Sequence, residues 1–495
     1  MRGWGGRPGE ATVASRSRVA RAAVIQLGGR AVNLAIGVAG IAILARALGT
    51  DGFGVWSTAL AFVGIFGFLT NLGLAPVATQ RMAAEPDSES EWLGALLGTV
   101  AIASLGAFII AVAAIPLLGD GDDGDIRLVT LILALSLLCA APGALLAVFD
   151  SRVRPGLRVV LLTFNSLGWL AAIVILAFTD AGIVAFALAF LGISVLTALL
   201  QWAATRRFAN IALRAGRRRW KPLVRIALPI GLAGALVTVY YRIDSVLIFE
   251  LKGAEEAGIY GAAYRFLDPI QFVPVSILAA VFPVMAAVYV QDPERVRRLV
   301  QRAGDYLLVV ALGVLGGTIA LAQPIVDLLL GPGYERSATV LPILMLAFVF
   351  ISMGYLSGYL TTIVGKQWRL AAIAAGGVVA NVVLNLALIP PFGAVGAAWA
   401  TVVTELAVNG LALWTVFRVL KFRPTFNRAI RTLFAAAIMT AAVAAAAQIG
   451  LIAGLLVAGP VYLVALLALG AITKAELRDL IGRERRLLEP SQSPS

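Results

Sequence analysis

The 495-residue sequence has no histidine and a single cysteine, Cys139. Without histidine the commonest metal ligand and the imidazole proton relay are both missing. A lone cysteine in an apolar run supports neither an internal disulfide nor a cysteine metal cluster. Charge is also scarce, with 14% Asp, Glu, Lys and Arg against 60% hydrophobic residues, and only five of the 40 basic residues are Lys. Any chemistry must therefore use carboxylates, arginines or backbone. No P-loop, HExxH, nucleophile elbow or dinucleotide fingerprint stands in a fitting context. The expectation is a protein that is not an enzyme, needs no cofactor or metal and does not hydrolyse ATP. The net charge of +13 does not point to nucleic acid, because the basic residues fall in short clusters and no polar stretch is long enough to fold as a binding domain.

What the chain has instead is apolar length. Its mean hydropathy is +0.92, and a bilayer core of about 30 Å needs roughly 20 apolar residues per helix. Segmented on that basis, the chain reads as an all-α polytopic membrane protein of about fourteen spans. A basic cytoplasmic N-terminus, residues 1–21, precedes a six-helix lobe over 22–204. A basic linker at 205–222 leads to a second six-helix lobe over 223–417. A further basic linker, 418–428, leads to a helix pair at 429–471 and a cytoplasmic tail, 472–495. The apolar run after Arg2, Arg7, Arg16, Arg18 and Arg21 is too long for a signal-peptide core and reads as a retained first span.

The basic residues orient these spans. Of the 40, 33 lie in or beside the two termini and the connections after even-numbered helices. The odd-numbered connections are acidic instead: Asp51, the Asp120 to Asp125 run, Asp180, Glu250 to Glu256 and Glu335. Both termini are therefore expected in the cytoplasm. The second connection departs from the pattern, with Arg81 among Glu85, Asp87, Glu89 and Glu91.

An internal repeat accompanies the even count. Leu48 to Trp56 aligns with Leu251 to Tyr260 with one gap, and Ala181 to Ala185 aligns with Phe392 to Gly396. Helices one to six would then recur as seven to twelve in the same direction, related by a pseudo-two-fold axis along the membrane normal, with a cleft between lobes that rock.

A charge within hydrocarbon costs about 2.5 to 3.5 kcal/mol even on the lenient insertion scale, so each one needs an interior reason. At helical rise, Arg30, Arg242 and Arg265 lie about 12, 13 and 9 Å inside their spans. The embedded acids are Asp244, Asp268 and Glu405. Arg265 and Asp268 share a helix face and can pair there. Arg242 and Asp244, two residues apart, point nearly opposite ways, so Asp244 needs a partner on another helix. Arg30 and Arg242 have no acid on their own face and are candidates to line the cleft, where a guanidinium fork matches phosphate. The acids are candidates for ion coupling or for structural ion pairs. In the repeat, Arg242, Arg265 and Asp268 align with Ala39, Ala61 and Gly64, which puts most buried charge in the second lobe.

Pro76, Pro142, Pro229, Pro269, Pro274 and Pro342 interrupt spans and permit bends, with Pro269 and Pro274 the candidate hinge beside Arg265. Glycines such as Gly29, Gly37, Gly40, Gly64, Gly231 and Gly234 offer faces for close helix approach. The alanine-rich thirteenth helix either packs tightly or borders a groove for a lipid tail. The cluster Arg206, Arg207, Arg214, Arg217, Arg218, Arg219 and Lys221 reads as an anchor against anionic membrane lipids. The alternative is a docking site for a cytoplasmic glycosyltransferase.

The segment beginning at Leu44, LARALGTDGFGVWSTALAFVGIFGFLTNLGL, resembles the first hairpin of polysaccharide exporters in the multidrug, oligosaccharidyl-lipid and polysaccharide exporter superfamily. So do YRIDSVLIFELKGAEEAGIYGAAYRFLDPIQFVPVSILAAVFPVMA, LLGPGYERSATVLPILML and NLALIPPFGAVGAAWATVVTEL, and together these cover nearly the whole chain. The resemblance implies two six-helix lobes with a terminal pair, and a plasma-membrane flippase for polyprenyl-pyrophosphate-linked saccharides. Basic residues of its central cavity would meet the diphosphate, and Arg30, Arg242 and Arg265 are the positions that match. Two alternatives stay open: a lipid-linked peptidoglycan precursor flippase, and a cation-coupled multidrug antiporter of the same superfamily.

Overall fold

A computed structural model describes residues 8–476 and 478, apart from 71, 120–124, 153–155, 180 and 290, with side chains described from residue 26 onward except at 27, 229, 230, 232, 233 and 235–237. Arg2 and Arg7, the acidic residues Asp120, Asp122, Asp123 and Asp180, and the tail beyond 478 lie outside the described residues, as do the side chains of Arg16, Arg18 and Arg21. The described chain is helical and has no strand. Among the described residues, eleven helices are long and apolar enough to cross a membrane. Kinks divide two of these in two, and Leu213–Lys252 adds a further span, which gives the expected fourteen.

Each kink has a local cause. Gly49, at φ 65° and ψ −177°, breaks the helix Pro8–Gly67. Gly253, at φ 86° and ψ −175°, ends Leu213–Lys252 in nearly the same backbone state. The two glycines hold equivalent places in the repeat, and both use a left-handed conformation that strains other residues. The third kink, Gly393 at φ 56° and ψ −134°, follows Pro390 and Pro391 within Gln367–Leu420. The eighth span is interrupted as its prolines require: Ala254–Tyr264, Leu267–Ile270 and Phe272–Val288 replace one continuous helix. Pro269 and Pro274 lack the N–H groups that would have bonded to the carbonyls of Arg265 and Ile270.

The chain forms two compact units. Unit 1 gathers Met1–Arg265 with Val378–Ala397, and unit 2 gathers Phe266–Gly377 with Ala398–Ser495. The first boundary falls at the break in the eighth span. In unit 1 a buried core joins Leu74, Trp92, Leu96, Leu145, Val148 and Leu223. In unit 2 the core includes Leu278, Met285, Val300, Leu307, Leu356 and Val416. Large apolar side chains such as Ile109, Val160, Leu199, Val379 and Leu456 are exposed, as expected where the surrounding solvent is lipid.

Without a hydrophobic drive between helices in lipid, close backbone approach supplies the packing. A methyl group on Gly54 would lie 1.8 Å from the Ala254 carbonyl oxygen, and one on Gly258 would lie 2.0 Å from the Thr50 oxygen. Gly54 and Gly258 are repeat-equivalent, and so are Thr50 and Ala254. The crossing is therefore reciprocal, as contacts across a two-fold axis must be. Ser57 meets its own equivalent, Gly261, where a Cβ would stand 2.6 Å from the serine hydroxyl. This local pseudo-symmetry lies wholly within unit 1.

The acidic second connection is also explained. Arg219 donates to Glu91 at 3.0 Å, Glu85 at 3.3 Å and Ser88 at 3.2 Å, with its guanidinium 4.9 Å from the Trp92 ring centre. Arg152 pairs with Glu89 and donates to the Phe208 carbonyl at 2.9 Å. The basic linker is helical from Leu213, and Gly216 packs against the backbone of Glu91 and Ala95. Arg219 thus belongs to an intramolecular network. In unit 2 the alanine-rich helix Asn427–Ala447 packs tightly, burying Ala435, Ala436, Met439 and Val443.

Candidate functional site

Unit 1 contains a cavity of about 310 Å³ enclosed by four stretches of helix. Ile36 to Leu44 form one wall with small residues, Gly37 and Gly40, that leave room instead of filling it. A second wall is aromatic. Trp56 and Trp169 stack at 5.4 Å and 13°, and Phe190 stands edge-on to both at 5.9 and 5.3 Å. Asn165, Ser166 and Ser194 add amide and hydroxyl groups, and Arg265 contributes the one positive charge of the described lining. Thr197 donates to Asn165 Oδ1 at 3.0 Å, which fixes the carboxamide. The chamber therefore combines one cation, neutral hydrogen-bonding groups and aromatic faces inside a bundle of apolar helices.

Arg265 closes the segment Ala254–Tyr264 and is half-buried. Of the three candidate arginines it alone is among the described residues lining this cavity. Arg30 is exposed and lies six residues before Ile36 on the same helix, close to where Asn33 donates to Thr163 at 3.0 Å. Arg242 is half-buried on Leu213–Lys252, and its side chain passes beside Gly64, where an added Cβ would stand 3.8 Å from Nε, an ordinary contact.

Arg242 and Asp244 diverge as their spacing requires. Asp244 is 2% exposed and accepts hydrogen bonds from the Tyr260 hydroxyl at 3.0 Å and from Asn385 Nδ2 at 2.8 Å. Asn385 Nδ2 also approaches Asn381, its oxygen at 3.1 Å and its backbone carbonyl at 3.0 Å. All four residues are buried, and Asn385 Oδ1 accepts no hydrogen bond among the described residues. A carboxylate and two carboxamides thus converge from two helices, with a tyrosine from a third. Sequence reading identified Asp244 but missed Tyr260, Asn381 and Asn385. The available signal was the pair of amides four residues apart in an otherwise apolar helix, which places both on one face.

Glu256 caps the helix that restarts after Gly393, accepting from the Ala394 N–H at 2.8 Å. Its carboxylate complements the positive end of that helix. The remaining candidates fall in unit 2. Glu405 is 3% exposed and accepts from Asn409 Nδ2 at 2.6 Å, one turn along its helix, where Asn409 abuts Gly354. Asp268 is exposed. Arg265 and Asp268 belong to different units.

Residues 20–288 match the family described as polysaccharide biosynthesis protein, and residues 229–387 match the MatE family. The chain is 21% identical over 392 residues to the "Putative O-antigen transporter" of Shigella flexneri, an alignment covering 76% of this chain and 92% of that one. It is 25% identical over 185 residues to the "Probable flippase AglR" of Haloferax volcanii, covering 35% and 37% of the two chains. Among solved structures it is similar to "Lipid II flippase MurJ, inward closed conformation", with a TM-score of 0.72 and 14% identity over 93% of this chain and 99% of that one. An inward-facing multidrug resistance MATE family transporter of the MOP superfamily gives a TM-score of 0.60 at 18% identity, covering 79% and 99%. At such identities the structural likenesses establish the fold.

Proposed function

The chain belongs to the polysaccharide biosynthesis protein family of membrane transporters, and on that footing we propose a flippase for polyprenyl-(pyro)phosphate-linked oligosaccharides. It moves the saccharide-bearing headgroup from the cytoplasmic to the outer leaflet of the plasma membrane for cell-surface polysaccharide biosynthesis, with both termini in the cytoplasm. The repeat of six-helix lobes supplies alternating access.

The observation that carries this reading is the unit 1 cavity, where Arg265, Asn165, Ser166 and Ser194 line the same space as the Trp56 and Trp169 stack. A phosphorylated sugar asks for this combination: a guanidinium for phosphate, amides and hydroxyls for its own hydroxyls, and flat apolar faces for its C–H surfaces. At about 310 Å³ the space suits one sugar ring with its phosphate while the prenyl tail stays in lipid. The Asp244 cluster serves a different purpose in this proposal. Its carboxylate, with the Asn381 and Asn385 carboxamide oxygens, loads a cation, and binding of that cation is coupled to the change of access.

The test is reconstitution of the full-length protein in liposomes with a fluorescent polyprenyl-phosphate saccharide, read by headgroup accessibility. Arg265→Ala and Trp169→Ala should each slow flipping by about tenfold or more, the loss of about one charge-assisted contact or one aromatic face. Asp244→Asn should retain flipping down the lipid gradient but lose its response to an imposed cation gradient. Wild-type rates in both cavity variants would reject the saccharide site.

A further inference from the structure

A second, larger cavity lies in unit 2 and shares no lining residue with the unit 1 cavity. Its volume is about 820 Å³, and its walls come from Pro293–Leu329, Ser337–Ile363 and the last turns of Gln367–Leu420, closed by the 421–426 connection. The inner surface is apolar, with Leu308, Met353, Leu356, Leu413 and Phe417. The mouth is basic. Arg418, Lys421 and Arg423 all line it, all are exposed, and none pairs with an acid among the described residues. Arg418 instead lies over the Trp414 ring at 4.1 Å.

The acid within the cavity does not cancel this charge. Asp305 is 6% exposed, accepts from Gln301 at 2.9 Å and lies 4.0 Å from Arg428, which in turn pairs with Glu476 at 2.9 Å. Gln301 also clamps the connection, donating to the Thr425 carbonyl at 3.0 Å and accepting from its N–H at 2.9 Å. The loop that bears Lys421 and Arg423 is therefore held in place beside the cavity. Next to the mouth Trp414 is 51% exposed and Phe426 is 64% exposed. Aromatic and basic residues side by side mark the level where a lipid headgroup meets hydrocarbon.

We propose that this cavity is a binding site for an anionic glycerophospholipid of the membrane. The phosphate sits among Arg418, Lys421 and Arg423, and an acyl chain enters between Leu413, Met353 and Leu356. Charge complementarity selects the occupant: three cations that pair with no acid among the described residues at one end, an apolar chamber of ligand size at the other, and a basic membrane face that attracts anionic lipid. A lipid held there bridges the long helix Pro293–Leu329 and the connection into the terminal helix pair. This inference is independent of the proposed transport function.

Native mass spectrometry of the full-length protein in detergent, with equal phosphatidylglycerol and phosphatidylcholine of matched chains, tests it. Wild type should retain phosphatidylglycerol with about tenfold preference, the effect of one to two cations acting on a net negative headgroup, since both lipids carry the phosphate and choline cancels its charge in phosphatidylcholine. Arg418→Gln with Lys421→Gln and Arg423→Gln should bring the two lipids to parity. Gly410→Phe preserves every charge and points into the cavity at a position where an added Cβ meets no atom within 4 Å. It should lower retention of both lipids, and an unchanged unfolding midpoint would show that the variants remain folded. No headgroup preference in wild type, a preference that survives the triple change, or full retention in Gly410→Phe would each overturn the proposal. So would displacement of phosphatidylglycerol by polyprenyl phosphate at equal concentration, which would give the cavity to the transported lipid.

Discussion

Arg219 and its neighbour Arg218 have the same charge and differ entirely in surroundings. Arg219 bonds to Glu85, Glu91 and Ser88 over the Trp92 ring, whereas Arg218 is exposed. Removing the Arg219 guanidinium should destabilise by about 1 kcal/mol, because the pairs are partly solvated and Glu85 keeps Arg81 and Trp92, while Arg218→Ala should stay within about 0.5 kcal/mol. Denaturant or thermal unfolding in detergent compares the two. Glu476 gives a second case, outside the membrane-spanning helices. Burial alone would push its carboxyl up, but the Thr473 N–H, Arg428 and the Thr473 hydroxyl together hold it below its ordinary value. The folded pKa is depressed, so this contribution is present above the unfolded value of about 4.3 and is lost as pH falls through the folded one. The unfolding midpoint of wild type should therefore fall more steeply below about pH 4.3 than that of Glu476→Gln, and parallel profiles would remove the effect. At this scale the sequence exposed the buried charges but not their partners. Asp244 is conspicuous in an apolar run, whereas Tyr260 and Asn385 are 16 and 141 residues away and acquire meaning only through folding.

Helix existence was legible because the bilayer imposes a length, and the breaks were legible where glycine or proline forces them. Helix pairing was not. In lipid an apolar face does not say which neighbour it meets, so the decisive marks are small residues, and small residues are everywhere in this chain. The Gly54–Gly258 crossing shows the consequence. The repeat at Leu48 and Leu251 could be aligned from sequence, but not that its two copies pack on each other through reciprocal backbone contacts. Gly258→Val and Gly54→Val each drive a side chain into a carbonyl oxygen that belongs to backbone, and neither can be relieved by a rotamer change. Both should cost more than about 3 kcal/mol, at the severe end for overpacking, and appear as lost folded yield in fluorescence-detected size exclusion. Gly358→Ala, where a Cβ meets nothing within 4 Å, should leave yield unchanged. Equal yields for all three would show that the crossing does not hold the helices together.

For the molecule as a whole, the proposed cargo is an anion moving away from a negative cytoplasm. If its headgroup crosses the full field, the potential contributes about 2.3 kcal/mol per charge per 100 mV, which is about fiftyfold in the equilibrium ratio across the leaflets. That drive acts only if the protein does not carry an equal positive charge along with the cargo. Arg242 bears on this point because it is half-buried on a long helix of unit 1, seated against Gly64, and Asp244 turns away from it toward Tyr260 and Asn385. In liposomes with a valinomycin-set potassium potential, negative inside, outward flipping of the labelled lipid should rise with potential, and Arg242→Ala should abolish transport while Arg242→Lys restores part of it. Equalising potassium on the two sides, which removes the potential, should return the wild-type rate to its zero-potential value. Transport indifferent to both the potential and the arginine would mean that the headgroup crosses as a neutral ion pair along a path that Arg242 does not reach.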